Sequence, residues 1–245
     1  MKNTVIIIPS RLDAQRFPNK PLKIINNKEM ILHVYEAAKM SNAGEVFVAS
    51  PDQKIINLIK NSGGNAILTS YLHKTGTDRI FEVFKKTLNS SPSIIVNLQG
   101  DMPNIEPQII KNLIDYMKKG GCEIGTLASD FSNNSEIEDY NVVKVLVEKK
   151  LEPGKFDVAL DFLRNNPGTK HQLYHHVGIY AFTNKALLRY VSLNRSKLEL
   201  ERKLEQLRAM ENKMSIHVGY IESSPLSVDT EKDLIEIKKI MENNE

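Results

Sequence analysis

The chain has 245 residues, of which 41% are hydrophobic and 26% are charged. This composition is typical of globular proteins and excludes the disordered and fibrous classes. The 33 Lys and Arg residues exceed the 30 Asp and Glu residues by only three, so bulk positive charge does not favour a nucleic-acid-binding protein.

Two further features bear on where the protein works. The single cysteine, Cys122, excludes an intrachain disulfide and fits a reducing compartment. No segment approaches the ~18 apolar residues of a membrane span. The apolar run at residues 5–8 is too short for a signal-peptide core. We therefore expect a soluble, cytoplasmic protein that does not bind membranes or nucleic acid.

The first 130 residues alternate between short β-rich runs and helical patterns. The runs predict strands at residues 5–8, 45–49, 65–68 and 94–98. Apolar residues spaced by three and four predict helices at residues 30–40, 53–62, 77–88 and 107–117. This alternation predicts right-handed βαβ units and a mostly parallel sheet with helices on both faces. Ligands of such sheets bind beyond the carboxyl ends of the strands.

The pattern changes after about residue 140. Strands are predicted at residues 141–148, 174–182 and 215–221, and helices at residues 184–193, 197–211 and 230–241. Neither repeats nor a low-complexity linker interrupt the chain. We therefore predict one domain, residues 1–245, with a first part at roughly 1–130 and an inserted subregion at roughly 140–215.

The loop after the first predicted strand is rich in cations. It contains Arg11, Arg16 and Lys20, is restrained by three prolines, and lacks the glycine patterns of dinucleotide sites and P-loops. Guanidinium groups bind phosphate oxygens in pairs and lysine adds a point charge, so the loop can wrap a polyphosphate. The alternative is a solvated basic loop. Its position at the carboxyl end of a buried strand favours a ligand-binding loop.

Two aspartates are candidate Mg²⁺ ligands. Asp101 follows the predicted strand at residues 94–98, and Mg²⁺ commonly takes one or two carboxylates together with substrate phosphates. The alternative for Asp101 is a turn or cap before the helix at residue 107. Asp229 followed by Thr230 is an ordinary helix-capping pattern, which the residues alone favour for that position.

Three other segments carry polar side chains in suggestive places. The segment HKTGTDR, residues 73–79, precedes a predicted helix, where backbone N–H groups bind anions; a Thr-capped helix is the alternative. His176 and Tyr180 lie four residues apart on a predicted strand, so both point to one face and can hold a polyhydroxy acid; a half-buried strand is the alternative. The helix at residues 197–211 is amphipathic, with a solvated face and a possible dimer contact.

Six blocks in order resemble the sugar-nucleotide nucleotidyltransferases, and among them the family of 3-deoxy-manno-octulosonate (Kdo) cytidylyltransferases. The blocks are IIPSRLDAQRFPNKPL, HKTGTDR, NLQGD, HVGIY, LEQLR and VDT, and they span nearly the whole chain. The resemblance implies a three-layer, Rossmann-like α/β fold of the nucleotide-diphospho-sugar transferase type. It also implies that CTP and Kdo react to give CMP-Kdo and pyrophosphate for lipopolysaccharide synthesis, with Mg²⁺ as cofactor, in a homodimer.

The resemblance assigns roles to matching residues. It implies that the first part of the chain binds the nucleotide and that the subregion at 140–215 serves sugar binding and dimerisation. The implied catalytic residues are Arg11, Lys20 and Asp101. The implied nucleotide-binding residues are Ser10, Arg11, Gln15, Lys20, His73, Thr75 and Arg79. The implied sugar-binding residues are Gln99, His176, Tyr180, Glu205 and Gln206, and the implied metal ligands are Asp101 and Asp229.

Two departures from the family pattern stand out: the first removes an auxiliary carboxylate, and the second bears on which sugar acid fits. Met102 stands where the family usually has an acid after QGD, and ALDFLR at residues 159–164 replaces the usual YFSRxxIP, leaving Arg164 as a partial counterpart. Two other functions stay open from the sequence. One is a cytidylyltransferase for another sugar acid, such as a sialic acid or 8-amino-Kdo, and the other is a nucleotide-binding module without chemistry.

Overall fold

The computed structural model describes residues 3–13, 16–89, 91–119, 121–168 and 170–242. Their contacts group into two compact units, unit 1 (Met1–Lys111 with Pro225–Glu245) and unit 2 (Asn112–Ser224). Both units combine helices with a sheet, so the predicted α/β class is confirmed. The division of the chain into a single domain with a subregion at 140–215 stays a prediction.

The strands and helices follow the predicted alternation along most of the chain. The strands are β1 Thr4–Pro9, β2 Ile24–Ile25, β3 Lys28–Glu29, β4 Glu45–Ser50, β5 Ala66–Leu68, β6 Ile94–Leu98, β7 Ile124–Ser129, β8 Lys144–Val147, β9 Phe156–Leu163, β10 Gln172–Thr183 and β11 Ile216–Tyr220. The α-helices are α1 Met30–Met40, α2 Gln53–Asn61, α3 Gly76–Lys86, α4 Pro107–Lys118, α5 Asn134–Glu138, α6 Asn184–Ser192, α7 Lys197–Arg202, α8 Leu207–Glu211 and α9 Glu231–Glu242. None of the helices in the described ranges is long and apolar enough to cross a membrane.

Unit 1 contains a parallel sheet in the strand order β5-β4-β1-β6. All six residues of β1 and all five of β6 are buried, as expected for strands covered on both faces. Because the strands run in the same direction, the loops after β1, β5 and β6 emerge at one edge of this sheet. These loops carry the basic segment after Pro9, the HKTGTDR segment and Asp101.

Unit 2 contains strands in the order β10-β7-β11-β9-β8. The strands β7 and β11 pair in parallel, whereas the pairs β7–β10, β9–β11, β8–β9 and β8–β10 are antiparallel. The predicted parallel pairing therefore holds throughout the sheet of unit 1, whereas pairing in unit 2 is mixed.

One predicted helix differs from the observed structure, and several observed elements, β9 among them, were not predicted. The predicted helix at residues 197–211 is divided into α7 and α8, because Lys203 has a left-handed backbone with φ 55° and ends the first helix. The strand β9 was not predicted; it follows the charged segment at residues 149–155, and its charged and apolar residues lack a clear alternation. It pairs with β8 and β11, so pairing with neighbours defines this strand more than its own pattern.

Candidate active site

A cavity of about 280 Å³ lies in unit 1 at the carboxyl ends of β1 and β6. Its lining residues come from three loops and are Pro9, Ser10, Arg11, Lys20, Pro21, His73, Lys74, Thr75, Gly76, Arg79, Gln99, Gly100 and Asp101. Four of these side chains are cationic and one is a carboxylate, so the cavity suits a polyanion. The fold thus brings together eight of the residues that the sequence singled out. Gln15, also predicted for the nucleotide, lies outside the described residues.

Lys20 lies between the two predicted metal ligands. Its Nζ is 2.8 Å from Asp101 Oδ2 and 3.0 Å from Asp229 Oδ1. The backbone N–H of Val228 donates to the carbonyl of Asp101 (2.9 Å), which holds the two carboxylate-bearing segments together. Burial opposes the charge of Lys20, but the two aspartates outweigh it and raise the pKa of the ammonium. Burial likewise would raise the pKa of Asp229, but Lys20 and then Arg16 lower it.

The capping role expected from the Asp229-Thr230 pattern belongs to Thr230. The N–H of Asp233 donates to Thr230 Oγ1 (3.3 Å). In return Asp233 Oδ2 accepts from the N–H groups of Asp229 and Thr230, both at 2.9 Å. This reciprocal arrangement gives hydrogen-bond partners to the backbone N–H groups at the start of α9 without using the Asp229 side chain. The Asp229 carboxylate is therefore free to face Lys20.

The arrangement of Asp101 and Asp229 fits a hard divalent cation. Both carboxylates contact the Lys20 ammonium, so the two groups lie close together. Among the described residues, no group of three or more His, Cys, Asp or Glu side chains could hold a metal. Two carboxylates match Mg²⁺, which completes its six ligands with water and substrate phosphate oxygens.

Several side chains of the HKTGTDR segment have structural contacts, and those of Thr75 and Arg79 bear on their predicted roles. Thr75 is the N-cap of α3, and its side chain accepts from the N–H of Asp78 (3.2 Å), so the Thr-cap alternative holds at this position. Arg79 is buried, and its Nη1 donates to Thr69 Oγ1 (2.7 Å) and to the carbonyl of Ser70 (3.0 Å). Burial lowers the pKa of Arg79, and the nearby charge of Arg11 lowers it further.

Arg11, in contrast, is exposed at the cavity and has no hydrogen bond or ion pair with any residue in the described part of the chain. Lys74, which lies in the HKTGTDR segment but had no predicted role of its own, shares both properties. Ser10 is buried, and its hydroxyl likewise lacks a partner among the described residues. These three groups are available to a ligand, whereas Arg79 organises the loop beside it.

Glu82 is a residue of this site that sequence reasoning missed. Its Oε2 accepts from the N–H of Ser70 (2.9 Å) and contacts His73 Nε2, and its Oε1 accepts from Lys86 Nζ (2.8 Å). Burial opposes ionisation, but Lys86, the Ser70 N–H and His73 lower the pKa of Glu82 to about 2. From the sequence, Glu82 and Lys86 form an ordinary i,i+4 pair on a helix surface, so nothing marks the glutamate as an anchor of the loop.

We expect Glu82→Gln to weaken binding of a nucleoside triphosphate by about tenfold, because it removes a charged acceptor shared by His73 and the Ser70 N–H. Isothermal titration calorimetry with CTP measures this change. Glu36→Gln is the matched control, since Glu36 forms an exposed ion pair with Lys28. Equal affinity of wild type and Glu82→Gln would show that Glu82 does not set the shape of the nucleotide loop.

In unit 2, a β-bulge brings His176 and Tyr180 together. In the ladder of β10 with β7, His176 pairs with Ala128 and Tyr180 pairs with Thr126. The two residues of β10 are four positions apart in sequence, whereas their partners in β7 are only two positions apart. Residues 178 and 179 form the bulge, and Thr126 Oγ1 donates to the carbonyl of Ile179 (2.7 Å). The two rings lie with their centroids 5.4 Å apart. The prediction that both side chains share one face is confirmed.

The contacts of Thr126 also indicate which ring nitrogen of His176 carries the proton. The shortest contact of the Thr126 hydroxyl is with the Ile179 carbonyl (2.7 Å), which favours His176 Nε2 as the donor in its 3.0 Å contact with Thr126 Oγ1. Burial, and then the neighbouring His175, lower the pKa of His176 to about 3. His176 is therefore a neutral imidazole whose Nδ1 can accept a hydrogen bond, which suits a hydroxyl group better than a carboxylate.

Tyr180 and Glu205 complete this polar cluster of unit 2. The Tyr180 hydroxyl is buried and makes no hydrogen bond of good geometry with a described residue, although Thr126 lies within its reach. Burial and the Glu205 carboxylate raise the pKa of Tyr180, so the hydroxyl keeps its proton. Gln206 is buried beside Glu205 at the start of α8. Gln99 belongs instead to unit 1, where its Nε2 donates to Asn97 Oδ1 (2.9 Å).

The two sequence departures now have structural explanations. Met102 is 3% exposed, so an apolar side chain packs at the position where the family usually has an acid. Arg164 donates to three backbone carbonyls, those of Tyr140 (3.2 Å), Arg202 (3.0 Å) and Lys203 (3.3 Å). Its guanidinium therefore fastens the end of α7.

We expect acid to destabilise the protein through His176. The folded state holds the ring neutral down to about pH 3, whereas the unfolded chain protonates it below about pH 6.5. The unfolded state thus binds more protons between these values, and stability falls as the pH is lowered through this window. Urea unfolding at pH 7 and pH 5 should show wild type losing about 2 kcal/mol more than His176→Gln. A protein in which the exposed His171 is replaced by Gln should lose as much stability between pH 7 and pH 5 as wild type does.

Comparisons with known proteins give a consistent result. Residues 5–216 match the family described as cytidylyltransferase. The 3-deoxy-manno-octulosonate cytidylyltransferase of Thermodesulfovibrio yellowstonii is 40% identical over 94% of this chain and 95% of its own length. The protein of the same name from Rhodospirillum centenum is 39% identical over 98% of this chain and 94% of its own length.

A solved structure extends the similarity to the fold. The CMP:2-keto-3-deoxy-manno-octonic acid synthetase complexed with CTP superposes with a TM-score of 0.88 and 34% identity, over 99% of both chains. This match confirms the fold class expected from the sequence. Together with near-full-length identity of about 40% to the curated relatives, it shows that the chain belongs to the cytidylyltransferase family and, within it, to the 3-deoxy-manno-octulosonate cytidylyltransferases.

Proposed function

We propose that this protein is an enzyme that joins CTP and Kdo to form CMP-Kdo and pyrophosphate, which activates Kdo for lipopolysaccharide synthesis. The observation that carries the proposal is the cavity of unit 1, in which four cationic side chains lie beside Asp101, itself joined through Lys20 to Asp229. The names of relatives about 40% identical, and the CTP complex of a 34% identical structure, support the substrates.

The cationic side chains would serve the triphosphate. In the proposed reaction, the anomeric oxygen of the sugar forms a bond to the α-phosphorus, the bond to the β-phosphate oxygen breaks, and the hydroxyl proton is released. Most of the catalysis of such transfers comes from positioning and charge stabilisation. Arg11 and Lys20 would neutralise charge on the phosphates and on the leaving pyrophosphate, and Ser10, His73 and Thr75 would contact the nucleotide.

Asp101 and Asp229 would hold Mg²⁺, and the support for this is that both carboxylates contact Lys20 and so lie close together. When bound there, the ion would supply positive charge next to the α-phosphate and polarise the attacked centre. The role of Lys20 follows from its contacts with both carboxylates, because it keeps them close together while its own charge faces the cavity.

The polar cluster of unit 2 would hold the sugar acid. His176 offers a neutral acceptor, Tyr180 a protonated hydroxyl, and Glu205 a carboxylate acceptor. A compound with several hydroxyl groups matches this mixture of donors and acceptors. The relatives' names favour Kdo over a sialic acid or 8-amino-Kdo. A cytoplasmic location and a homodimer complete the proposal and follow from the family resemblance.

The test is pyrophosphate release with CTP and Mg²⁺ in parallel reactions containing Kdo, 8-amino-Kdo, a sialic acid or no sugar. We expect release with Kdo alone. Release with a different acid would retain the reaction and replace the sugar. A folded protein that binds CTP and releases pyrophosphate with none of these acids would contradict the enzymatic proposal.

A further inference from the structure

The turn that carries Glu205 and Gln206 joins two very short helices. Helix α7 has six residues and α8 has five, and Lys203 between them is left-handed. Isolated helices of this length are unstable in water, so contacts from outside the turn must fix its conformation. The relevant contacts all lie within unit 2.

A buried ion pair joins α7 to α8. Arg208 of α8 and Glu199 of α7 have side-chain exposures of 2% and 0%, and they make two hydrogen bonds, Nε–Oε2 at 2.9 Å and Nη2–Oε1 at 2.8 Å. Glu199 also accepts from Arg195 Nε (2.8 Å) and forms a capping box with Ser196. The separation of α7 from α8 is therefore fixed by a two-point contact.

Tyr190 of α6 connects this ion pair to Glu205. The Arg208 guanidinium lies 4.7 Å from the centre of the Tyr190 ring, a cation–π contact that orients the ring. The Tyr190 hydroxyl donates to the backbone carbonyl of Glu205 at 2.8 Å and lies 3.5 Å from its carboxylate. Tyr190 is 1% exposed, so it cannot touch a bound substrate from solvent.

We infer that Tyr190, held by the Glu199–Arg208 ion pair, is a positioning residue that sets the Glu205 carboxylate for the sugar acid. This inference rests on the proposed function for its substrate. The acceptor is the main-chain carbonyl of the residue that would bind the sugar, so a small shift of the hydroxyl displaces the Glu205 side chain with it. Such a contact affects recognition of the sugar without touching the nucleotide.

Tyr190→Phe is a suitable test because it removes one hydroxyl and keeps the ring against Arg208. The Glu205 carbonyl retains the N–H of Arg208 as a donor (3.2 Å), so the variant should fold. Tyr174→Phe is the matched control. Tyr174 is also buried in unit 2, and its hydroxyl also bonds the backbone, accepting from the N–H of Leu151 (3.0 Å).

We expect Tyr190→Phe to raise KM for Kdo about fivefold, with kcat and KM for CTP changed by less than about twofold. Tyr174→Phe should leave KM for Kdo unchanged. In a Glu205→Gln background, Tyr190→Phe should add less than about twofold, because its effect passes through the carboxylate. An unchanged KM in Tyr190→Phe, an equal effect of Tyr174→Phe, or additive effects of the Tyr190 and Glu205 substitutions would each overturn the inference.

Amide hydrogen exchange separates this inference from the proposed function. Exchange at residues 204–208 should be faster in Tyr190→Phe than in wild type and unchanged in Tyr174→Phe. If wild type released no pyrophosphate with any acid, the proposed function would fail, and equal exchange in the two variants would then overturn the positioning role independently.

Discussion

Asp101→Asn is expected to reduce pyrophosphate release by at least about a thousandfold while CTP still binds. The substitution keeps the size of the side chain and removes the charge of one of the two carboxylates that converge on Lys20. The cationic lining of the cavity is unchanged, so the triphosphate keeps its electrostatic partners. Steady-state kinetics measure turnover, and calorimetry with CTP measures binding.

Asp115→Asn is a control for this experiment, because Asp115 lies half-exposed on α4 and its carboxylate has a long contact of 3.9 Å with Lys118. Turnover of the control should equal that of wild type. If Asp101→Asn lost turnover, CTP binding and cooperative unfolding together, the result would argue for a structural role of Asp101 rather than the proposed metal role.

Of the substitutions proposed here, Glu199→Ala should cause the largest loss of stability, about 3–5 kcal/mol in the free energy of unfolding. It leaves the Arg208 guanidinium buried without its two-point partner and removes the capping box of α7. Burial disfavours the Glu199 carboxylate, but Arg208 and Arg195 keep its pKa below the ordinary value. Urea unfolding followed by circular dichroism measures the change.

A second glutamate on the same helix supplies the comparison. Glu201 forms an exposed i,i+4 pair with Lys197 at 3.7 Å, and such pairs contribute about 0.5 kcal/mol or less. Glu201→Ala should therefore unfold at almost the same urea concentration as wild type. Similar losses in Glu199→Ala and Glu201→Ala would mean that burial of the Arg208 pair adds nothing to stability.

Sequence patterns predicted the parts of this fold that rest on continuous apolar runs. The strands β1 and β6 are buried along their whole length, and the loops that follow them carry Arg11, Lys20 and Asp101 to one cavity. The position of these residues after buried strands was enough to predict their meeting, since parallel strands end at a common edge. The family resemblance was needed for Asp229, which local sequence favoured as a helix cap.

The remaining features depend on contacts between residues distant in sequence. The break between α7 and α8 accompanies a buried Glu199–Arg208 pair, whereas both residues look like ordinary surface charges in the sequence. Glu82 and Tyr190 gave no signal, because each anchors a backbone group, the Ser70 N–H and the Glu205 carbonyl, whose position the sequence does not reveal. Such anchors become visible only when the loops they hold are placed in three dimensions.

The bulge in β10 has a consequence for protein design. On a regular strand, residues four apart are separated by about 13 Å, too far for one small ligand to touch both rings closely, whereas residues two apart are about 7 Å apart. Two inserted residues let His176 and Tyr180 occupy neighbouring positions opposite Thr126 and Ala128. A grafted His-x-x-x-Tyr motif would therefore reproduce this pair only with the bulge and its threonine. In a homologous scaffold that lacks residues 178 and 179, a His-x-Tyr motif would be needed to give the same arrangement of the two rings.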